Sequence, residues 1–283
     1  MCGITGIMTA SGAPPDRTAI ESMQNALIHR GPDGAGIHFA DSVGMAQRRL
    51  AIIDLETGDQ PFVLDDGTAL VANAEIYNYL ELKAAMPNSA FTTKSDCEVP
   101  LHLYRRDGDS YATGLRGMYA IAIHDPGNRR LVLSRDPFGI KQLYYTEGPF
   151  GFAFASEPQA LLASRMVRAD VRTEAVAELL QLQFTTGRET LLSGIHRVLP
   201  GETLVVESGR IANRLRIPAL PQKPPQAADE QGALARLEAA LIDSVTVHQR
   251  SDVPYGMFLS GGIDSSALLA LMARLNDRPV RAF

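Results

Sequence analysis

Cysteine is scarce in this chain: Cys2 and Cys97 are the only two in 283 residues. That excludes a disulfide framework and gives no zinc-ligand spacing. A reducing cytoplasm is the expected location, where a free thiol at position 2 survives. Long apolar runs are missing as well. None approaches the roughly 18 residues that span a bilayer, so no membrane partner is expected. The opening MCGITGIMTASGAPPDR has no basic n-region and reaches proline and aspartate too early for a secretory signal. Blocks of basic charge are also lacking. The formal net charge is -5 with both signs mixed, which argues against nucleic acid as a partner.

Apolar residues are plentiful. The hydrophobic content of 45% allows a sizeable core, and the length exceeds that at which single cores usually split. The one compositional break is RIPALPQKPPQAADEQG, residues 216–232, whose prolines and small polar residues read as a linker. Before it, residues 3–9, 43–54 and 68–73 read as strands. Ile20, Met23 and Leu27 recur at helical spacing over 16–29, stopped by Gly31 and Pro32. Residues 76–86 and 173–182 read as helices. Asp96 is expected to cap a helix over 97–107, and Ser156 one running to 165. MYAIAIHD-DPGN-RRLVLSRD, QLYYTEG-GFAFAS and residues 203–214 read as hairpins. Mixed strands and helices indicate an α+β or layered-sheet fold. After the break, Ala233, Leu237, Leu241 and Val245 mark a helix. VPYGMFLSGGIDSSALLALMARL then reads as strand, glycine turn and helix, and PVRAF as a further strand. That is the start of a βαβ unit, which needs more strands than 50-odd residues supply (roughly 30 residues make one such unit). The expectation is therefore a fragment or truncated form, the alternative being a compact appendage.

Position 2 invites a chemical reading. Removal of Met1 would leave the Cys2 thiol and a free α-amine on one residue. An α-amine with a pKa of about 7.7–8.0 is partly neutral near pH 7 and can act as base on its own thiol. A Cys at this position is by itself often only a buried small hydrophobe. For a thiol that attacks the side-chain amide of glutamine, the pocket must hold an oxyanion, an α-amine and an α-carboxylate. Arg49 suits the carboxylate. Glu75 or Asp96 suits the amine. The Asn73 side chain and the Ala74 backbone N–H suit the oxyanion. HRGPDGAG, residues 29–36, is either a surface loop or a loop packed beside the site, where glycines permit close approach. The Arg–Asp pair of RDPFGIKQLYY, residues 135–145, reads as structural. In FLSGGIDSS, Gly261 and Gly262 permit a tight turn before a helix whose N-terminus can cradle phosphate. Ser260, Ser265 and Ser266 add hydroxyls. Asp264 makes sense there through Mg²⁺ bridging to pyrophosphate.

MCGITGI, HRGPDGAG, RLAIIDL, NAEIYN, SDCEV, RDPFGIK, ASE and LSGGIDSS, in that order, resemble the glutamine-hydrolysing asparagine synthetase family, class II amidotransferases of the N-terminal nucleophile type. The resemblance covers nearly the whole chain. It implies a four-layer αββα N-terminal nucleophile hydrolase domain at 2–215, a linker at 216–232 and an incomplete α/β ATP-pyrophosphatase domain at 233–283. It implies Cys2 as nucleophile, with Asn73 and the Ala74 amide as oxyanion hole. It places Arg49, Ile52, Ile53, Asn73, Ala74, Glu75 and Asp96 around glutamine. It assigns Leu259, Ser260, Gly261, Gly262, Asp264 and Ser265 to ATP. The implied full-length enzyme uses ATP and Mg²⁺ to activate aspartate as an acyl-adenylate, which ammonia from glutamine attacks after passing through a tunnel. Glutamine hydrolysis itself needs no cofactor. Implied partners are glutamine, ATP, and aspartate or another carboxylate acceptor, and a homodimer is compatible with the family. Alternatives are amidation of another carboxylate and a non-catalytic regulatory relative. The sequence departs from the family at Ala74, where glycine is usual, with a strain cost if φ is positive. It also ends at Phe283, so the expected activity is glutaminase only.

Overall fold

Residues 117–125, GMYAIAIHD, are apolar on both faces. In a strand, neighbouring side chains point to opposite sides, so this one must be covered twice. The computed structural model shows both covers. Ala120 and Ala122 enter one core with Ile4, Met45 and Val71. Tyr119, Ile121 and Ile123 enter another with Val99, Leu101 and Tyr104.

The structure describes residues 1–220, 222, 224 and 229–283. The chain divides into two units, Met1–Ala51 with Glu56–Leu220, and Ile52–Leu55 with Pro221–Phe283. In the first, the chain runs through β1 (Gly3–Thr9), α1 (Arg17–Asn25), β2 (Gly34–Ala40), β3 (Val43–Arg49), β4 (Phe62–Val63), β5 (Ala69–Ile76) and α2 (Tyr79–Ala84). A short 3₁₀ turn, Asp96–Glu98, leads into α3 (Val99–Asp107). Then come β6 (Gly117–Asp125), β7 (Arg130–Arg135), β8 (Tyr144–Gly148), β9 (Gly151–Ala155), α4 (Pro158–Ala163), α5 (Thr173–Leu182), β10 (His196–Arg197), β11 (Glu202–Glu207) and β12 (Arg210–Arg216).

These strands form two six-stranded sheets, β10-β8-β9-β1-β3-β2 and β12-β11-β7-β6-β5-β4. Every pairing within them is antiparallel. One apolar core draws on both sheets: Ile4, Met8, Val43 and Met45 from one, Val71, Ala120, Leu131 and Leu204 from the other. A second lies between β5, β6 and α3. A third joins Ile7, Ala46 and Ala153 to Ile20, Met23 and Leu27 of the α1 region and Leu161 of α4. The result is a mixed α/β architecture with antiparallel sheets.

In the second unit, α6 (Glu230–His248) precedes β13 (Gly256–Met257), α7 (Ile263–Leu275) and β14 (Arg281–Ala282). β13 and β14 pair in parallel across α7, as the strand–turn–helix–strand pattern implies. Part of the 216–232 stretch lies outside the described residues, and α6 already begins at Glu230.

Several expected boundaries move. The strand predicted over 43–54 ends at Arg49, because Leu50 turns to the Cys2 sulfur. α1 stops at Asn25, before Gly31 is reached. The cap at 95–98 is the Ser95 hydroxyl, which accepts from the Cys97 N–H at 3.2 Å. Asp96 is drawn away to the Ile76 N–H. Ser156 does not cap α4, since its hydroxyl accepts from the Ile4 N–H at 3.0 Å and Glu157 occupies the cap position. β2 begins inside the glycine-rich 29–36 stretch, which reads as loop, and runs on to Ala40.

Candidate glutamine site at the end of the sheets

The register of β1 against β3 places Gly3 opposite Arg48. Antiparallel pairing then carries Cys2 to Arg49 and Leu50. The Leu50 N–H donates to the Cys2 sulfur at 3.3 Å. Ile4 and Met8 face the core shared by the sheets. By the two-residue period Cys2 faces the same side. Arg49 lies in step with Val43 and Met45, which face that core too. On β5, Val71 enters the shared core while Ala74 packs into the opposite one. Asn73 and Glu75 therefore face the side that Cys2 faces. Sequence period and register together bring Cys2, Arg49, Asn73 and Glu75 to one end of the space between the sheets.

The surrounding motifs hold these groups. Arg30 Nε donates to the Cys2 carbonyl at 2.9 Å, and its Nη1 lies 2.6 Å from Glu157 Oε1. The HRGPDG and ASE motifs thus position the backbone of Cys2. A Cβ on Gly31 would lie 2.4 Å from the Arg48 carbonyl carbon and 2.5 Å from the Arg49 nitrogen, so only glycine fits there. Asp33 Oδ2 accepts from the Ala51 N–H at 2.9 Å. The 29–33 segment is accordingly the loop packed beside the site. Arg49 Nη1 sits 2.7 Å from Asp59 Oδ1. Asp96 Oδ2 accepts from the Ile76 N–H at 2.7 Å, and the Cys97 thiol donates to the Ala74 carbonyl at 3.6 Å, which docks SDC onto the end of β5.

Asn73 is buried, and its Nδ2 has no hydrogen-bond partner among the described residues. Ala74 is not among the residues at positive φ. It pairs with Tyr119 as ordinary strand, so the strain foreseen for a non-glycine residue does not arise.

Burial dominates the electrostatics. It pushes the Cys2 thiol up, opposed by the Leu50 N–H, the chain's amino group and Lys141. It pushes the Met1 amino group down. Glu75 is raised to about 7 by burial and then by the Asp96 charge, against the pull of Lys141. Asp96 is raised by burial. Lys141, Arg30, Asp33 and Glu157 escaped the sequence-based selection. The signals are the HRGPDG, RDPFGIK and ASE motifs that carry them. The Arg–Asp pair of RDPFGIK is structural as expected: Asp136 accepts from the Ile140 and Lys141 N–H groups at 2.9 and 3.0 Å.

Ile52 and Ile53 are not among the residues that the first unit gathers. They group with the second, where the Ile52 carbonyl accepts from the Asp252 N–H at 3.0 Å. In that unit Gly261 adopts φ +78° in the turn before α7. Ser260 Oγ accepts from the Gly262 N–H at 3.4 Å and lies 3.1 Å from Ser265 Oγ. Leu259 N–H donates to the Phe283 carbonyl at 2.8 Å, and Asp264 is in the first turn of α7.

A family model described as glutamine amidotransferase domain matches residues 1–215. The chain belongs to the glutamine amidotransferase family. Its domain is of the class II, N-terminal nucleophile type, and it is joined to a segment, residues 236–283, that matches the asparagine synthase family. Among curated proteins, this amidotransferase is similar to asparagine synthetase [glutamine-hydrolyzing] 1 of Bacillus subtilis, 38% identical over 96% of this chain and 44% of the relative. It is 32% identical to a putative asparagine synthetase [glutamine-hydrolyzing] 2 of Methanocaldococcus jannaschii, over 98% of this chain and 58% of that one. It is 31% identical to amidase chry2 of Gibberella zeae, over 97% and 43%. The chain thus spans about half the length of these relatives. Among solved structures, glutamine phosphoribosylpyrophosphate amidotransferase from Bacillus subtilis, complexed with ADP and GMP, has a TM-score of 0.57 at 20% identity. That match covers 96% of this chain and 64% of the other, and at this identity it supports the fold alone.

Proposed function

We propose that the chain hydrolyses glutamine at Cys2. The observation that carries this reading is the buried Asn73 amide, whose Nδ2 has no partner among the described residues and faces the side of the sheets that holds the Cys2 sulfur. With Met1 removed, the Cys2 α-amine takes the thiol proton. The sulfur attacks the glutamine side-chain carbonyl carbon, and the oxyanion is held by Asn73 Nδ2 and the Ala74 N–H. The amide nitrogen takes up the proton and leaves as ammonia. Water then cleaves the thioester, releasing glutamate and restoring the thiol. Arg49 receives the α-carboxylate, and Glu75 and Asp96 the α-ammonium. No cofactor takes part in this half-reaction.

The same reading assigns residues 2–215 to a four-layer αββα hydrolase domain, 216–232 to a linker and 233–283 to the opening of an ATP-pyrophosphatase domain in a cytoplasmic enzyme. The turn at Gly261, the hydroxyls of Ser260 and Ser265 and the start of a 13-residue helix fit a pyrophosphate group. Leu259, Ser260, Gly261, Gly262 and Ser265 would hold ATP, and Asp264 would reach it through Mg²⁺. ATP supplies activation of the acceptor carboxylate. The names of the Bacillus and Methanocaldococcus relatives favour aspartate, hence asparagine as product. The amidase relative supports a second reading, another carboxylate acceptor.

The test is ammonia release from glutamine by the processed chain beside Cys2→Ala, with intact mass confirming Met1 removal. Loss of ammonia in the variant is expected. Ammonia release untouched by the substitution would remove Cys2 as nucleophile.

A further inference from the structure

We propose that Glu98 is a positioning residue of this site: its buried carboxylate fixes the 92–95 loop and so holds the Asp96 carboxylate where the substrate α-ammonium binds. This rests on the glutaminase reading and deepens its amine subsite.

The segment Thr92-Thr93-Lys94-Ser95-Asp96 has no apolar side chain. Packing cannot anchor such a segment, so hydrogen bonds must hold it. Glu98 accepts the bonds that do so. Its Oε1 accepts from the Thr92 N–H at 2.7 Å and from the Thr92 hydroxyl at 2.9 Å. Its Oε2 accepts from the Thr93 N–H at 2.9 Å and from the Thr93 hydroxyl at 2.6 Å. Glu98 is only 2% exposed, and a carboxylate tolerates that burial when both oxygens are engaged. His102 Nε2 lies 3.4 Å from Oε1, one turn along α3, and its ring packs on Phe91 at the start of the loop. Burial pushes the Glu98 carboxyl up, but His102 and the threonine donors outweigh it and bring the group down to about 2. It is therefore an anion at neutral pH. Residue 98 stands at the start of α3, where a side chain commonly accepts from the helix N–H groups. Glu98 makes no such capping bond, and its oxygens reach back to the loop instead.

The loop passes this order on to Asp96. The Thr93 hydroxyl donates to Glu98 and accepts from the Ser95 N–H at 3.2 Å. The Ser95 hydroxyl accepts from the Cys97 N–H at 3.2 Å. Asp96 stands between those two residues. From the other side its Oδ2 accepts from the Ile76 N–H at 2.7 Å, next to Glu75 in the chain. Lys83 of α2 steadies the loop from outside, its Nζ donating to the Thr93 carbonyl at 2.9 Å. Asp96 and Glu75 repel each other until a cation binds, so these bonds hold Asp96 against that repulsion. With the loop released, Asp96 shifts away and the α-ammonium loses one of its two carboxylates. Cys2, on β1, and Asn73, on β5, keep their places. The expected signature is weaker glutamine binding with the chemical step intact.

The experiment uses the full processed chain with Glu98→Gln and, as a milder lesion, Thr93→Val, which removes only the hydroxyl that joins Glu98 to Ser95. Ammonia release gives kcat and KM for glutamine. Protection of Cys2 from iodoacetamide, localised by peptide mass, gives the affinity for glutamine and for glutaramate, which is glutamine without its α-amine. Thermal unfolding confirms folding. In Glu98→Gln the glutamine KM should rise about tenfold, the weakening of one charge-assisted hydrogen bond, with kcat within about twofold. Protection by glutamine should weaken by the same factor, and protection by glutaramate should not change. Thr93→Val should show the same selectivity with about a threefold rise, and it decides the matter if Glu98→Gln does not fold. A folded variant with unchanged glutamine affinity overturns the proposal. So does one that weakens glutamine and glutaramate equally, since Glu98 would then support the pocket as a whole. A parent chain that releases no ammonia, yet is protected by glutamine with that selective loss in the variants, sinks the glutaminase reading and keeps Glu98 at the amine subsite. A parent chain that glutamine does not protect overturns both.

Discussion

The two units use apolar residues in opposite ways. In the first, Ile121, Ile123, Leu131 and Phe154 are fully buried. In the second, Phe258 and Ile263 are 87% and 89% exposed, and α7 has no buried residue. Both have apolar helices and a glycine turn. Only the first has sheets covered on both faces. A site that must hold a thiol, two carboxylates and an amide in fixed relation needs side chains locked by packing, and the first unit supplies it. The phosphate-type loop depends instead on backbone geometry around Gly261, which a turn and a helix start can provide locally.

The largest test of that contrast is a pair of truncations. Ile121→Ala removes a side chain closed in on all sides and should cost about 2–5 kcal/mol of unfolding free energy. Leu268→Ala, at a position 39% exposed, should stay within about 0.5 kcal/mol. Urea unfolding followed by circular dichroism, with ammonia release as a second readout, measures both. Comparable losses would break the distinction between a packed and an unpacked unit.

Next in size is Asn73→Ala. If the site of the first unit is preorganised, removing one oxyanion donor should lower kcat for glutamine by roughly 10²–10³-fold, with a smaller effect on KM. The Nδ2 group has no hydrogen bond to lose among the described residues, so the unfolding midpoint should move little. A large stability loss with kcat preserved would make Asn73 a packing residue.

Much of this was legible in the sequence where a local pattern decided the outcome. The β6–β7 and β8–β9 hairpins follow from short apolar runs around DPGN and the Gly148–Gly151 turn. α5 follows from its helical spacing. Cys2, Arg49, Asn73 and Glu75 share one side of the site, and Asp96 docks at the end of β5. What escaped depends on distant partners. Ser156 looks like a cap until Ile4 claims its hydroxyl, 152 residues away. Asp96 looks like one until the Ile76 N–H is seen. β2 is masked by its glycines, one of which, Gly36, is demanded by the Gln60 carbonyl, 1.8 Å from where its Cβ would lie.

The smallest expected effect concerns Ala74, where the sequence departs from the glycine usual in the resembling family. Were positive φ needed, Ala74→Gly would relieve strain and raise both stability and activity. The structure argues the reverse. Residue 74 is ordinary strand paired with Tyr119, its methyl packs against the core under β5, and its carbonyl accepts from the Cys97 thiol. Glycine there frees the unfolded chain and removes a packed methyl, so Ala74→Gly should lower stability by about 0.5–1 kcal/mol. The backbone N–H proposed for the oxyanion is retained, so kcat for glutamine should change by less than about a factor of two, well below the loss for a removed donor. Calorimetry and the ammonia assay read the two quantities separately. A more stable and faster Ala74→Gly chain would show that the strand end is strained, and that the first unit's packing is less complete around Cys2 than in its interior.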